Sequence, residues 1–118
     1  MTSREAIFAY SEQQYGIAPD YPWRGTPDAA VLRHAASRRW FALVMEVPAA
    51  SLGLPGGGRV DAVNLKCDPL LIGSLRSEPG VFPAYHMNKE HWLTIVLDSP
   101  FPEQQLLHLL DLSYDLTR

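Results

Sequence analysis

Residues 40 to 47 read WFALVMEV, and this stretch decides how the chain folds. Alternate side chains of a β-strand point to opposite faces, so an extended conformation sorts these residues into two sets. One set is entirely apolar and consists of Phe41, Leu43, Met45 and Val47. The other set consists of Trp40, Ala42, Val44 and Glu46. The pattern predicts a strand that is buried on at least one face.

Two later segments match the apolar face of this strand. Val60 to Lys66 and Trp92 to Leu97 are rich in β-branched and aromatic residues, which favours strands. We expect their odd positions to face the helices together with those of the first strand, namely Phe41, Leu43, Met45, Val63, Leu65, Leu93 and Ile95. The even positions then share the opposite face, and they are Trp40, Ala42, Val44, Asn64, Lys66, Trp92, Thr94 and Val96.

Helix signals surround these strands. Thr2 and Glu5 fit a capping box for a helix over residues 3–14. Asp68 followed by Pro69 is an N-cap and a first-turn proline, which predicts a helix with Leu71, Ile72 and Leu75 on its buried side. A last helix begins at Pro102 and Glu103 and turns Leu106, Leu107, Leu109 and Leu110 inward.

With two short strands at residues 21–24 and 30–34, the predicted order is α-β-β-β-β-α-β-α. Strands clustered between helices indicate an α+β fold, with an antiparallel sheet and the helices packed on one face. The 118 residues fit a single domain, residues 1–118. The connection from Leu52 to Arg59 contains LPGGG, and we expect it to be exposed and mobile. It is not a phosphate-binding loop, because those loops place Lys and Ser or Thr after their glycines and lead into a helix.

Composition limits the class of protein. Hydrophobic residues make up 47% of the chain and charged residues 19%, which is ordinary for a globular domain. A single cysteine, Cys67, excludes an intramolecular disulfide, and no leader peptide or membrane span is recognisable, so we expect a cytoplasmic protein with no membrane partner. The formal net charge of −3 means that binding to DNA would need a local basic patch.

Five motifs carry a family resemblance. They are YPW at 21–23, LRHAASRRWFALV at 32–44, NLKCDP at 64–69, PAYHMNKEHW at 83–92 and SYDL at 113–116. In this order they resemble the MmcQ/YjbR family of small bacterial proteins over nearly the whole chain. The resemblance implies a CyaY-like α+β fold and a DNA-binding function. CyaY-like proteins bind iron through an acidic helix, but the first helix here offers only Glu5 and Glu12 with Arg4 between them.

Basic, aromatic and amide side chains converge on the even face of the sheet and on the segment that enters its last strand. Indoles can stack on bases, and cations can contact phosphate. The residues predicted to bind nucleic acid or a protein partner are Arg33, Arg38, Arg39, Trp40, Asn64, Lys66, His86, Asn88, Lys89, His91 and Trp92. Two structural alternatives remain open. The tryptophans can simply cover the sheet, and residues 86–92 can fix a turn in which Asn88 acts as a cap and the histidines bond to nearby backbone.

No catalytic or metal-binding pattern is present. His86 and His91 do not have the spacing of a helical HExxH zinc site. Cys67 beside Asp68 has no base that the sequence identifies. We therefore expect a protein that is not an enzyme and that has no cofactor. The sequence favours weak, non-specific DNA binding, with a protein-interaction or regulatory adaptor that binds no nucleic acid as the alternative.

Overall fold

The computed structural model describes residues 2–118. Within them lie three α-helices and five strands, with a short 3-10 helix at Ala49–Leu52. The helices are α1 (Arg4–Tyr15), α2 (Pro69–Leu75) and α3 (Glu103–Leu116). The strands are β1 (Ala30–Arg33), β2 (Trp40–Pro48), β3 (Arg59–Lys66), β4 (Val81–Pro83) and β5 (Trp92–Val96). None of these helices is long and apolar enough to span a membrane.

The five strands form one sheet in the order β1-β2-β3-β5-β4, and every neighbouring pair is antiparallel. The helices pack on one face of this sheet. Their apolar residues, including Ile7 of α1, Ile72 of α2 and Leu110 of α3, belong to one core with Val63 and Leu93 of the central strands. The predicted α+β fold with an antiparallel sheet and helices on one face is thus confirmed.

The order of the elements differs from the prediction in two places. Residues 21–24 are not a strand, and only a single bridge joins Asp20 to Val31 nearby. Pro22 lacks the backbone N–H that a ladder requires. Conversely, β4 was not predicted because it has only three residues and ends in Pro83, which is tolerated at the edge of a sheet. The observed order is α-β-β-β-α-β-β-α.

A β-bulge in β2 overturns the predicted faces of that strand. Leu32 pairs with Ala42 but Arg33 pairs with Trp40, which leaves Phe41 without a partner. A bulge turns two successive side chains towards the same face. Phe41, Ala42 and Val44 consequently pack with the helices, whereas Leu43, Met45 and Val47 join a second cluster on the opposite face. The odd positions of β3 and β5 face the helices as predicted.

The helix ends are mostly where the sequence puts them. The N-cap of α1 is Ser3, whose Oγ accepts from the Ala6 N–H at 3.1 Å, rather than Thr2. The Thr2 N–H instead donates to the Leu97 carbonyl at 2.9 Å. Asp68 caps α2 as predicted, through the Leu70 N–H at 2.9 Å. The predicted buried side of α2 is wrong for Leu71, which is 43% exposed.

Candidate functional site

The face of the sheet opposite the helices is covered by loops instead of helices. Val31, Leu43, Met45, Val47 and Ala62 form its buried floor, and Trp40, Leu52 and Tyr85 pack against that floor. Tyr85 and its neighbours belong to the connection between β4 and β5, which lies over the middle of this face. On this face the surface contains two indentations relevant to binding, which we call the Trp40–Trp92 depression and the Leu43–Met45 cleft.

The Trp40–Trp92 depression collects four of the predicted binding residues. Its volume is about 350 Å³, and its lining consists of Arg39, Trp40, Lys66, Met87, Trp92 and Thr117. Lys66 and Trp92 are direct cross-strand partners on β3 and β5. The bulge at Phe41 changes the alternation of side chains only for the residues that follow it. Trp40 precedes the bulge, so its side chain keeps the predicted face, which Lys66 and Trp92 share. Both indoles are half-buried, and Trp40 also packs edge to face against Trp23, with 5.5 Å between ring centroids.

The two cations of this depression are free of acidic partners. Within residues 2–118 the ion pairs are Arg4–Asp61, Arg33–Asp20, Arg59–Glu46 and Arg118–Asp115. Neither Arg39 nor Lys66 takes part in any of them. A cation without a partner can still neutralise a phosphate or a carboxylate of a ligand. The depression therefore combines accessible aromatic surface with uncompensated positive charge.

Arg33 and Arg38 lie elsewhere. Both line a different depression at the β1 edge, which also contains Asp20. The Arg33 guanidinium is bonded to the Asp20 carboxylate, so its charge is already compensated. Arg38 is exposed in the β1–β2 turn and has a positive φ of 66°. Although Arg33 is the cross-strand partner of Trp40, neither arginine lines the Trp40–Trp92 depression.

Asn64 is fully buried, and its amide is used inside the protein. Its Nδ2 donates to the Tyr85 carbonyl at 2.9 Å, and its Oδ1 accepts from the Thr94 hydroxyl. The same Thr94 Oγ1 accepts from the Tyr85 N–H at 2.8 Å. Two buried side chains therefore satisfy both backbone groups of Tyr85. Asn64 fixes the loop that covers the sheet and offers no exposed surface of its own.

The remaining predicted residues lie in the β4–β5 connection. Asn88 Oδ1 accepts from the Glu90 N–H at 2.8 Å, and the Asn88 carbonyl accepts from the Trp92 N–H at 3.0 Å, so the turn-fixing role holds for Asn88. The Lys89 carbonyl accepts from the Arg76 guanidinium at 2.5 Å. His91 is exposed, and its carbonyl accepts from the Cys67 N–H at 2.8 Å. The His86 ring packs edge to face against Tyr85, with 4.0 Å between centroids and 61° between the ring planes, instead of bonding to backbone.

The Leu43–Met45 cleft was not foreseen from the sequence. Its volume is about 350 Å³, and Leu43, Met45 and Ala29 supply apolar surface. Trp23, Tyr85 and His86 add aromatic rings. The missed residues Trp23, Tyr85 and Met87 all lie inside the family motifs YPW and PAYHMNKEHW, which is the signal that could have identified them. Leu43 and Met45 were assigned to the helix side because the bulge is invisible to strict alternation.

The part of the chain that the structure describes has no cluster suited to a metal ion, and its cysteine is not suited to act as a nucleophile. Among residues 2–118 no three His, Cys, Asp or Glu side chains are grouped so that they could hold a metal ion. Cys67 is buried, and burial, aided by the nearby Asp68 charge, raises the pKa of its thiol. A nucleophilic cysteine needs the opposite shift.

Sequence comparison identifies relatives along the whole chain. A family model described as YjbR matches residues 12–116. The chain is 43% identical to the uncharacterized protein YyaQ of Bacillus subtilis (strain 168) over 118 residues, the full length of both. It is 44% identical over 54 residues to the uncharacterized protein YjbR of Escherichia coli (strain K12), which covers 45% of this chain and 46% of that relative.

Solved structures give the same result for the fold. A crystal structure of a protein from Pseudomonas syringae superposes with a TM-score of 0.96 at 44% identity, covering 99% of this chain and 100% of the other. A crystal structure of a Deinococcus radiodurans protein with a DUF419 domain has a TM-score of 0.74 and covers 98% of this chain and 78% of the other. At 24% identity, that second likeness bears on the fold alone.

Proposed function

This chain belongs to the YjbR family, and from that premise we propose that it is a small, non-catalytic DNA-binding module. The observation that carries the proposal is the Trp40–Trp92 depression, where Arg39 and Lys66 flank two half-buried indoles without any acidic partner. Indoles stack on bases of any identity, and cations attract any phosphate. Such a site binds nucleic acid without reading its sequence.

The depression favours single strands over duplex. A base can stack on Trp40 or Trp92 only after it has left its neighbours in the helix, and unstacking a paired base costs a few kcal/mol. A single strand already presents its bases. The phosphates on either side of a stacked base would then meet Arg39 and Lys66, which line the same depression.

The overall charge keeps the expected affinity low. The protein carries a formal net charge of −3, so the basic patch acts against the repulsion of the remaining surface. Non-specific binding at physiological salt has dissociation constants of roughly 10⁻⁴ to 10⁻⁶ M. We expect this protein to fall in that range, with little difference between sequences of equal length and composition.

Fluorescence anisotropy with a labelled single strand, and with the duplex of the same sequence, tests the proposal across salt concentrations of about 50 to 200 mM. The affinity for the single strand should fall steeply with salt and exceed that for the duplex. Absence of salt-dependent binding to either, even at the lowest salt, would eliminate the DNA-binding proposal.

Two substitutions separate the electrostatic from the stacking contribution. Arg39→Ala should weaken binding to every sequence and flatten the slope of log K against log salt by about 0.7 for a single strand, because one phosphate contact is lost. Trp92→Ala should cost ~1–3 kcal/mol of stacking and leave that slope unchanged.

Arg59→Ala is the matched control for the loss of one positive charge. Arg59 pairs with Pro48 at the far end of the β2–β3 ladder from Trp40, and eight residues of strand place it about 25 Å away. Its guanidinium is also paired with Glu46. Arg59→Ala should therefore alter DNA binding far less than Arg39→Ala. Equal effects of the two variants would mean that net charge, rather than the depression, governs binding.

An adaptor that binds another protein and no nucleic acid is the second candidate. The observation in its favour is on α2, where Leu70 is 89% exposed and Leu71 is 43% exposed. Adjacent exposed leucines are unusual on a surface with no apolar contact to make. The salt titration also decides between the two, since an apolar protein interface does not release counterions from phosphate.

A further inference from the structure

The Leu43–Met45 cleft is distinct from the proposed DNA-binding depression and has the features of a preformed ligand site. At about 350 Å³ it lies at the small end of the usual range for small-molecule pockets, which suits a ligand of one or two rings. Leu43 and Met45 form its base and are each only 8% exposed. Apolar surface at the base and polar groups at the rim are the usual arrangement of such pockets.

The wall formed by Tyr85 and His86 is rigidly held. Asn64 and Thr94, both fully buried, bond to the carbonyl and the N–H of Tyr85. Buried polar networks of this kind fix a single geometry when every member has its partners. The fold therefore uses two fully buried polar side chains to fix the position of one wall of the cleft.

His86 adopts a backbone conformation that costs energy. Its φ is 57°, in the left-handed region that side chains with a Cβ adopt infrequently. Its imidazole is exposed, lies 4.0 Å from the Tyr85 ring between centroids and lines the cleft. This chain carries a histidine where glycine would be unstrained, which is the kind of outlier that points to a role for the side chain.

The charged groups around the cleft already have partners inside the protein. Arg59 Nε and Glu46 Oε1 form an ion pair at 3.4 Å, and the Asp28 carboxylate accepts from the backbone N–H of Glu46 at 2.8 Å. An anionic ligand would therefore compete with Glu46 for Arg59. The thioether of Met45 and the rings of Trp23 and Tyr85 favour an aromatic ligand instead, since sulfur and π-systems attract aromatic rings.

From these observations we propose that the Leu43–Met45 cleft binds an uncharged aromatic small molecule of one or two rings. The ring packs on Leu43 and Met45 and against Tyr85, and the His86 imidazole contacts a polar atom at the rim. The two sites have different aromatic linings and can be tested separately, and they meet where Trp23 of the cleft packs edge to face on Trp40, with 5.5 Å between ring centroids.

Titration of the isotope-labelled full chain with indole, followed by ¹H–¹⁵N NMR, tests the proposal. Amide shifts should concentrate at residues 23, 43, 45, 85 and 86. Cyclohexanol, which has a ring and a polar atom but no π-system, should bind roughly two- to tenfold more weakly, given the extra stabilisation of aromatic pairs. Equal shifts with both probes, shifts centred on Trp40 and Trp92, or no shifts up to the solubility limit would each overturn it.

His86→Gly and Arg38→Gly form a matched pair of variants. Both residues have positive φ, at 57° and 66°, so glycine relieves the backbone at each position and neither change should lower the thermal midpoint. Only His86 lines the cleft. His86→Gly should weaken indole binding about fivefold, the equivalent of one lost polar contact, while Arg38→Gly should leave it unchanged. Unchanged binding in His86→Gly would overturn the assigned role of the imidazole.

Discussion

Tyr85 is positioned by hydrogen bonds of its backbone as well as by the packing of its ring. Its N–H and carbonyl bond to Thr94 and Asn64, and both of those side chains are fully buried in the sheet. In the sequence, the amide of Asn64 close to Lys66 on one strand suggested a surface contact. In the structure, the Asn64 amide instead points into a layer that the loop covers. Whether a polar residue lies beneath a loop depends on contacts far along the chain, which local sequence does not specify.

Asn64→Leu should therefore destabilise the protein strongly. The change leaves the Tyr85 carbonyl without its donor and the Thr94 hydroxyl without its acceptor in a buried place, and each such loss costs about 1–3 kcal/mol. Urea denaturation measures the difference in unfolding free energy. Asn88→Ala is the control, because its side chain bonds only to an exposed N–H and should cost about 1 kcal/mol or less. Equal losses in the two variants would contradict the assigned network.

His34 makes stability depend on pH on the acidic side. It is 7% exposed, lies against Phe41 and Tyr114, and has Nε2 2.8 Å from the Thr117 hydroxyl. Burial lowers the pKa of its imidazole below the ordinary value of 6.5. The unfolded chain therefore takes up the proton first as pH falls. The contribution of the buried, neutral His34 imidazole to the free energy of unfolding is therefore fully present above about pH 6.5 and is lost progressively below it.

The expected result is a urea midpoint that decreases between pH 7 and pH 5, with each unit of pKa difference worth about 1.4 kcal/mol. His34→Gln should reduce this dependence because the residue no longer titrates. His108→Gln is the control, since His108 is exposed on α3 and its replacement should leave the slope as it is in the wild type. A slope that persists in His34→Gln would assign the pH dependence to other groups.

Strand β2 illustrates which features of an element its own sequence can predict. WFALVMEV identified a strand and its approximate ends, because alternation and β-branched residues are local properties. The bulge at Phe41 depends on the pairing with β1, where Arg33 is matched to Trp40. Trp40 still reaches the predicted face, together with Lys66 and Trp92, since it precedes the bulge. Leu43 and Met45 follow it, and they line the cleft that sequence reasoning missed.

Helix ends were easier to predict than helix faces for a similar reason. Asp68 and Pro69 begin α2 through contacts within one turn. The face that α2 buries depends on how it docks, and only Ile72 among its residues is buried. Four of the predicted binding residues line the depression, namely Arg39, Trp40, Lys66 and Trp92. Lys66 and Trp92 meet because the register of β3 and β5 makes them cross-strand partners. Arg33 is engaged by Asp20, a contact between residues 13 positions apart that no local pattern indicates.

The connection between the 3-10 helix and β3 should be the first internal site of proteolysis. Residues 55–58 are exposed, and Gly56, Gly57 and Gly58 all have positive φ with no neighbour near the position of a Cβ. Few contacts restrain such a segment, so it opens at low cost. Brief digestion with a non-specific protease, followed by mass spectrometry, should give cuts within residues 52–59. Cleavage confined to the chain ends would contradict this expectation.

The two sides of the sheet are covered by different elements. The helices bury the main core on one side, and on the other side loops cover a smaller apolar cluster next to the two indentations. The acidic group of Glu5 is exposed at the start of α1, which packs on the helix side. The distance of this end of α1 from the Trp40–Trp92 depression allows the effect of the net charge to be separated from that of the local patch.

At physiological salt, removing the distant charge of Glu5 should leave DNA affinity nearly unchanged. Charges separated by more than the Debye length of about 8 Å are largely screened there, whereas at about 0.01 M salt that length is about 30 Å. Arg4, next to Glu5, bonds to Asp61, which pairs with Glu46 on β2, and the strand between Glu46 and Trp40 places this end of α1 roughly 20 Å from Trp40. Glu5→Gln should therefore tighten DNA binding only at low salt. Arg39→Ala should weaken it under both conditions, and anisotropy titrations of the two variants at each salt concentration measure this contrast. If Glu5→Gln tightens binding equally at both salt concentrations, affinity follows the total charge and the local patch has no special role.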